Sequence, residues 1–257
     1  MMHKQLYFLL FLGVQAGFLA AAQPRLVSTT PQVTEILFDV GLGPAVVAAP
    51  HGWNSPQVAR TLDHQKIPSI GDFSSINFEA LLKARPTLAV LDSQVEQADL
   101  ETSLRSFQIP SLTLNFRTPE TLARSLETLS LRAGVTSVSA RRIECLRLLK
   151  GTPETRPFSF IVVTAWDPLV VYGRLTFLSH LLEAQGGRNM VESAILFPQL
   201  SREWLWLHKP DRIYSVDMFQ KRDDSIALDV DLYSRISFAL IRDLKRLGFR
   251  LPETCRE

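Results

Sequence analysis

Strand-like and helix-like segments alternate along this chain up to residue 117, stop alternating across Thr118–Lys150, and resume at Phe158. Two α/β halves flanking a purely helical stretch point to two sheets rather than one. The stretch opens with Thr118-Pro119-Glu120: a capping hydroxyl, a proline at the first helical position and an acid at the positive helix end. Leu122, Leu126, Leu129 and Leu131 then recur at near-helical spacing until Gly134. A second helix is predicted over 135–150, with Val138, Ile143, Leu146 and Leu149 as one apolar stripe. Gly151, Pro153 and Pro157 bar its continuation. At ~1.5 Å per residue it would span about 24 Å, enough to bridge two small lobes. The expected fold class is therefore α/β, with two α/β lobes joined by a single long backbone helix. The boundaries expected are 23–134 for the N-terminal lobe, 135–150 for the linking helix and 151–257 for the C-terminal lobe.

Residues 1–22 differ in kind from the rest. Lys4 precedes the apolar run LYFLLFLGVQAGFLA, and Ala20-Ala21-Ala22 offers small residues for cleavage, the plan of a secretory signal peptide. The apolar run is short for a membrane span, the alternative reading. An exported protein is expected. The whole chain has 257 residues, 46% of them hydrophobic, and a formal charge of +2. That near-neutral balance lacks the concentrated basic face of a nucleic-acid binder. Cys145 and Cys255 both lie in the mature part, and in an exported protein they are compatible either with one disulfide or with two free thiols.

In the first half, strands are predicted at 25–28, 45–49, 67–70, 88–91 and 112–116, with helices at 32–40, 78–84 and 100–107. In the second, strands are predicted at 158–164, 213–216 and 226–228, with helices at 177–184, 201–207 and 232–247. Such alternation indicates parallel sheets covered on both faces. Ligands of open α/β sheets gather outside the carboxyl ends of the strands. The residues just beyond those ends include Thr29, Thr30, His51, Trp53, Asp72, Phe73, Asp92, Trp166, Tyr172 and Asp231. Aromatic rings from both halves suit a flat, partly apolar ligand, although Trp53 and Trp166 could equally pack under their own loops.

Enzymatic signatures are missing. The mature chain has only His51, His64, His180 and His208, and lacks HExxH, GxSxG, GxxxxGK[ST] and GxGxxG. No catalytic residue, cofactor or resident metal is expected. His51 could act as an axial ligand to a metal inside a bound cofactor-like cargo.

Four blocks carry a family resemblance: RLVSTTPQVTEILFDVGLGPAVVAAP, SIGDFSSINFEALLKARPTLAVL, YGRLTFLSHLLEAQGGRNMV and FPQLSREWLWLHKPDRIYSV. Together they resemble, in order, the periplasmic substrate-binding proteins of ABC importers whose two lobes are joined by a long helix (class III). That family carries cobalamin, iron-siderophore complexes or haem, and FPQLSRE most resembles its cobalamin-binding branch. The resemblance implies capture of cobalamin, as transported ligand, between the lobes, with haem or a ferric siderophore as the alternative cargo. It implies a permease and its ATPase as partners and a monomeric protein. By motif, the permease-docking acids fall on Glu79 and Glu203. The cleft positions fall on His51, Trp53, Phe73, Trp166 and the Asp231/Arg235 pair, whose spacing also suits a routine helical ion pair. Asp92 and Tyr172 join them from their places beyond strand ends. Two departures from the family stand out: a short linking helix and a trimmed connection over 217–225.

Overall fold

The computed structural model describes residues 23–72, 74–135, 138–149, 154, 156–216, 223–228, 244 and 253–255. The first half runs β1 (Leu26–Ser28), α1 (Pro31–Asp39), β2 (Val46–Ala48), α2 (Pro56–His64), β3 (Gly71–Asp72), β4 (Ser75–Ile76) and α3 (Phe78–Lys83). It continues with β5 (Leu88–Asp92), α4 (Ala98–Ser106), β6 (Ser111–Leu114) and α5 (Pro119–Ala133). Then come α6 (Ala140–Leu148), β7 (Phe158–Trp166), β8 (Leu169–Val171), α7 (Phe177–Ala184) and β9 (Gly187–Asn189). Next come α8 (Arg202–His208), β10 (Arg212–Ser215) and β11 (Ile226–Ala227), and a 3-10 turn over Glu253–Cys255 is the last described element.

There are two sheets. The first is parallel, in the order β2-β1-β5-β6. The second has β11, β10 and β7 in parallel, β8 antiparallel to the end of β7, and β9 parallel to its start. Side chains alternate across a strand, so each strand feeds two cores. Leu26, Leu88 and Val90 face one core, while Val27, Ala89 and Leu91 face another. In β7, Phe158, Phe160 and Val162 join the same large core as Leu26, and Ile161 and Val163 turn to the opposite side. That large core also holds Leu122, Leu126 and Leu129 of α5 and Ile143 and Leu146 of α6. One apolar cluster thus runs from the inner face of the first sheet, through the helix pair, to the inner face of the second.

α5 forms as its sequence dictates. Thr118 caps it through Thr121, Pro119 opens it, and Gly134 closes it in the left-handed region at φ +63°. Leu131, however, is 83% exposed. Two residues beyond Leu129 it falls about 200° further round the helix, off the apolar stripe.

The expected linking helix is shorter than its apolar pattern suggests. It covers nine residues, Ala140–Leu148, not 135–150, and so spans about 13 Å. Ser139 does not continue a helix but caps this one: its hydroxyl accepts from the Arg142 amide, while its own amide donates to the Val40 carbonyl at 3.1 Å. α6 is thereby tied to the end of α1, and Arg147 pairs with Glu127 of α5.

Elsewhere the 67–70 strand reduces to a single bridge, Ala49 with Ser69. α2 lies where no helix is predicted, although Ser55-Pro56 supplies its cap and first residue. The predicted 232–247 helix lies outside the described residues except for Leu244, which is buried.

Of the two thiol readings, the bonded one holds. Cys145 of α6 is joined to Cys255, with a Cα–Cα distance of 5.3 Å across 110 residues of chain. Closing a loop of that length restricts the unfolded chain. Replacing both cysteines by serine should lower stability by about 2–5 kcal/mol. Urea unfolding of the two forms checks this; superimposable curves would refute a stabilising bond.

Candidate ligand-binding cleft

β1 pairs with β2 on one side and β5 on the other, so the chain departs from β1 in one direction and later returns in the other. The carboxyl ends of β1 and β5 border the crevice that such a reversal leaves. Thr30, after β1, donates its hydroxyl to Asp92 Oδ2 at 3.0 Å, and Gln32 Nε2 reaches the same oxygen at 3.3 Å. The Gln94 amide donates to Asp92 Oδ1 at 2.8 Å. Asp92 is 3% exposed, and burial raises its carboxyl to about 6 against the opposing hydrogen bonds from Gln94 and Thr30.

The next wall comes from the loop before α2. Glu35, buried on α1, accepts the Ser55 amide at 2.5 Å and the Ser55 hydroxyl at 2.9 Å. Asn54 Nδ2 donates to the Pro50 carbonyl at 2.9 Å. Gly52 and Trp53 both take positive φ, +106° and +61°. For tryptophan that conformation is unfavourable and persists only where its surroundings impose it. The result is an indole 58% exposed and bordering the cleft.

The opposite wall belongs to the second lobe. Residues 196–200 run antiparallel beside β8, with hydrogen bonds from the Val171 amide to Pro198 O and from the Leu200 amide to Leu169 O. The approach is closest at Gly173, where a Cβ would lie 2.1 Å from the Ile195 carbonyl oxygen. Only glycine fits there. This seating brings Phe197 edge-on to Tyr172, with ring centroids 5.2 Å apart. Burial pushes the Tyr172 phenol up to about 12.

Together these walls enclose a cavity of about 490 Å³ between the lobes. Thr30, Gln32, Asp92, Gln94 and Trp53 line it from the first lobe, and Thr164, Ala165, Val170, Tyr172 and Phe197 from the second. No lysine or arginine is among the described residues that line it. Among the described residues, no group of three potential metal ligands converges anywhere.

The sequence-predicted site residues divide. Trp53, Asp92 and Tyr172 meet at this cavity. Trp166 does not. It is 3% exposed, packs with Ile161, Val163 and Leu169 on the outer side of the second sheet, and donates Nε1 to Ser215 Oγ at 3.2 Å. The cause is a register shift between Val163 and Ala165, which reverses the alternation and sends Trp166 outward. His51 is also off the cavity lining; its Nε2 donates to the Ile67 carbonyl at 3.0 Å, since a carbonyl can only accept. Phe73, Asp231 and Arg235 lie outside the described residues. Phe197, Gln32 and Gln94 were not anticipated. Phe197 and Gln94 stand on irregular segments whose position depends on pairing with distant strands. Gln32 had a local signal, being two residues beyond Thr30 in the crevice turn.

A profile of the periplasmic binding proteins matches residues 26–248. The chain belongs to that family. It is thus a binding protein rather than an enzyme. Among curated relatives it is similar to the vitamin B12-binding protein of Photorhabdus laumondii, with 29% identity over 212 residues, 80% of this chain and 75% of the relative. The vitamin B12-binding protein of Vibrio campbellii is 22% identical over 223 residues, 84% of this chain and 78% of that one. In fold it matches the periplasmic vitamin B12 binding protein BtuF of Vibrio cholerae, with a TM-score of 0.69 at 18% identity, covering 87% of this chain and 94% of the other. It also matches the periplasmic heme binding protein HutB of Vibrio cholerae, with a TM-score of 0.67 at 17% identity, covering 88% and 98%.

The two acids singled out with the family resemblance are exposed and sit in the first turns of short helices. Glu79 on α3 pairs with Lys83 at 2.8 Å. Glu203 on α8 follows the Ser201 cap, and hydrogen bonds from its own backbone amide and from Ser201 hold its carboxyl below the usual range.

Two predictions concern the first-lobe wall. Glu35→Ala strands the Ser55 amide and should cost about 1–3 kcal/mol in urea unfolding. Limited proteolysis should then open the chain at 51–55; wild-type resistance there would show that Glu35 is not the anchor. Asp92, raised from 3.8 to about 6, binds more protons folded than unfolded between those values. Its contribution to stability is therefore full below about 4 and is lost as pH rises through 6, on the order of 3 kcal/mol at 1.36 per pH unit. Asp92→Asn should flatten that part of the stability–pH curve; an unchanged curve would refute the shift.

Proposed function

We propose that this chain is the substrate-binding component of an ABC importer, exported by its N-terminal signal peptide, and that it captures cobalamin or a related corrinoid between its lobes. The observation that carries the reading is the placement of Trp53 on one wall of the cleft and Tyr172 with Phe197 on the other. Facing aromatic walls grip a flat macrocycle by burying its faces. The names of the curated relatives favour vitamin B12 among macrocycles. Likeness to a substrate-binding protein of an ABC transporter from Listeria monocytogenes, with a TM-score of 0.69 at 14% identity, supports the transport role. Haem is the second reading, favoured by the likeness to HutB and by a tyrosine at the cleft.

In this reading α5 and α6 together serve as the spacer between the lobes, and the two sheets with their helices are the lobes. Phe73, Asp231 and Arg235 would complete the site. Glu79 and Glu203, one on each lobe, would dock against basic pockets of the membrane permease, where desolvated charge pairs contribute about 1.5–7 kcal/mol of coupling.

Isothermal titration with cyanocobalamin and with haemin tests the cargo. Saturable binding of cyanocobalamin, with haemin weaker by about tenfold or more, is expected. The reverse order would make the chain a haem binder, and no heat with either would end both readings. Glu79→Ala combined with Glu203→Ala should leave cyanocobalamin affinity unchanged and abolish uptake through the permease. Loss of affinity in that double variant would contradict the docking assignment.

A further inference from the structure

The floor of the cleft has a polarity that the aromatic walls do not explain. Asp92 is a buried carboxylate on the cavity lining, held by Thr30, Gln32 and the Gln94 amide. A carboxylate offers about four acceptor positions, and the three hydrogen bonds leave it capacity for one more donor. The two glutamines beside it reinforce this character. Gln32 turns its NH2 group to Asp92, and Gln94 turns its own to the Phe116 carbonyl at 3.1 Å. Both partners can only accept, so the chemistry fixes the orientation of each amide. The remaining polar atom of each glutamine side chain is a carbonyl oxygen.

We propose that Asp92, Gln32 and Gln94 form a specificity subsite that takes N–H donors from carboxamide groups at the edge of the ligand and turns away carboxylates. This rests on the corrinoid reading above and deepens it. A peripheral primary amide brings two donors to an acceptor-rich floor. A peripheral carboxylate in the same place brings like charge to a buried carboxylate whose described partners, Thr30, Gln32 and the Gln94 amide, are all uncharged. The subsite therefore separates amide-edged macrocycles from acid-edged ones of similar shape. Rings sort by flatness, and this floor sorts by charge.

The test compares cobinamide, whose edge carries amides, with cobyrinic acid, whose edge carries carboxylates. Both are titrated calorimetrically at pH 7.5 into the wild-type protein, Asp92→Asn and Gln32→Lys. Asp92→Asn keeps the side-chain shape and removes the charge. Gln32→Lys leaves Asp92 in place and puts an ammonium beside it, so a folding defect in one variant does not remove the test. Wild type should prefer cobinamide by roughly tenfold or more, and each folded variant should narrow that ratio by about tenfold. Equal binding of the two ligands by wild type, or an unchanged ratio in the variants, overturns the subsite while leaving a corrinoid cleft standing. Failure of wild type to bind cobinamide, cobyrinic acid and cyanocobalamin overturns the subsite and the corrinoid reading together.

Discussion

Everything in this molecule depends on the apolar face that each sheet turns toward the α5–α6 pair. Leu26, Leu88 and Val90 on one side and Phe158, Phe160 and Val162 on the other are buried in one cluster with Leu126 and Leu146. Burial of large aliphatic and aromatic side chains contributes about 1.5–3 kcal/mol each, more than any exposed ion pair here can supply. The lobes are consequently not beads on a flexible tether. Their facing edges are fixed by the same packing that stabilises them, and the gap between those edges is the cleft.

Within that frame, the cleft collects what a core would reject. A carboxylate is held at 3% exposure, a tryptophan takes positive φ, and a tyrosine ring sits in a wall with its phenol far from ionisation. The first two cost stability locally and are tolerated because neighbours restrain them: Thr30 and the Gln94 amide at Asp92, and Ser55 with Glu35 beside Trp53. Departures from ordinary packing rules concentrate at functional sites for this reason.

Much of the architecture was legible in the residues. Capping side chains, prolines at first helical positions and apolar runs mark α1, α3, α5, α7, β5 and β7, because those signals act within a few residues of where they stand. The placement of Trp53, Asp92 and Tyr172 along the cavity was legible for another reason: the rule that crevices lie beyond strand ends needs only the order of the strands. Trp166 shows its limit. A register shift of one residue carries no local signature and exchanges the two faces of a strand. The apolar stripe over 135–150 outruns the helix that forms, Ala140–Leu148, because such a stripe does not reveal that Ser139 bonds to Val40. Phe197 was missed because its position depends on a carbonyl fitting against Gly173, a contact between segments more than twenty residues apart.

The covalent link between α6 and Cys255 encloses the second half of the protein in a ring of 110 residues whose two ends meet on one helix. A body fastened at both ends to the same rod cannot swing about that rod as a free arm would. α6 is itself held by the first half, through the Ser139 amide on the Val40 carbonyl and Arg147 on Glu127, so the rod that closes the ring belongs to both halves at once.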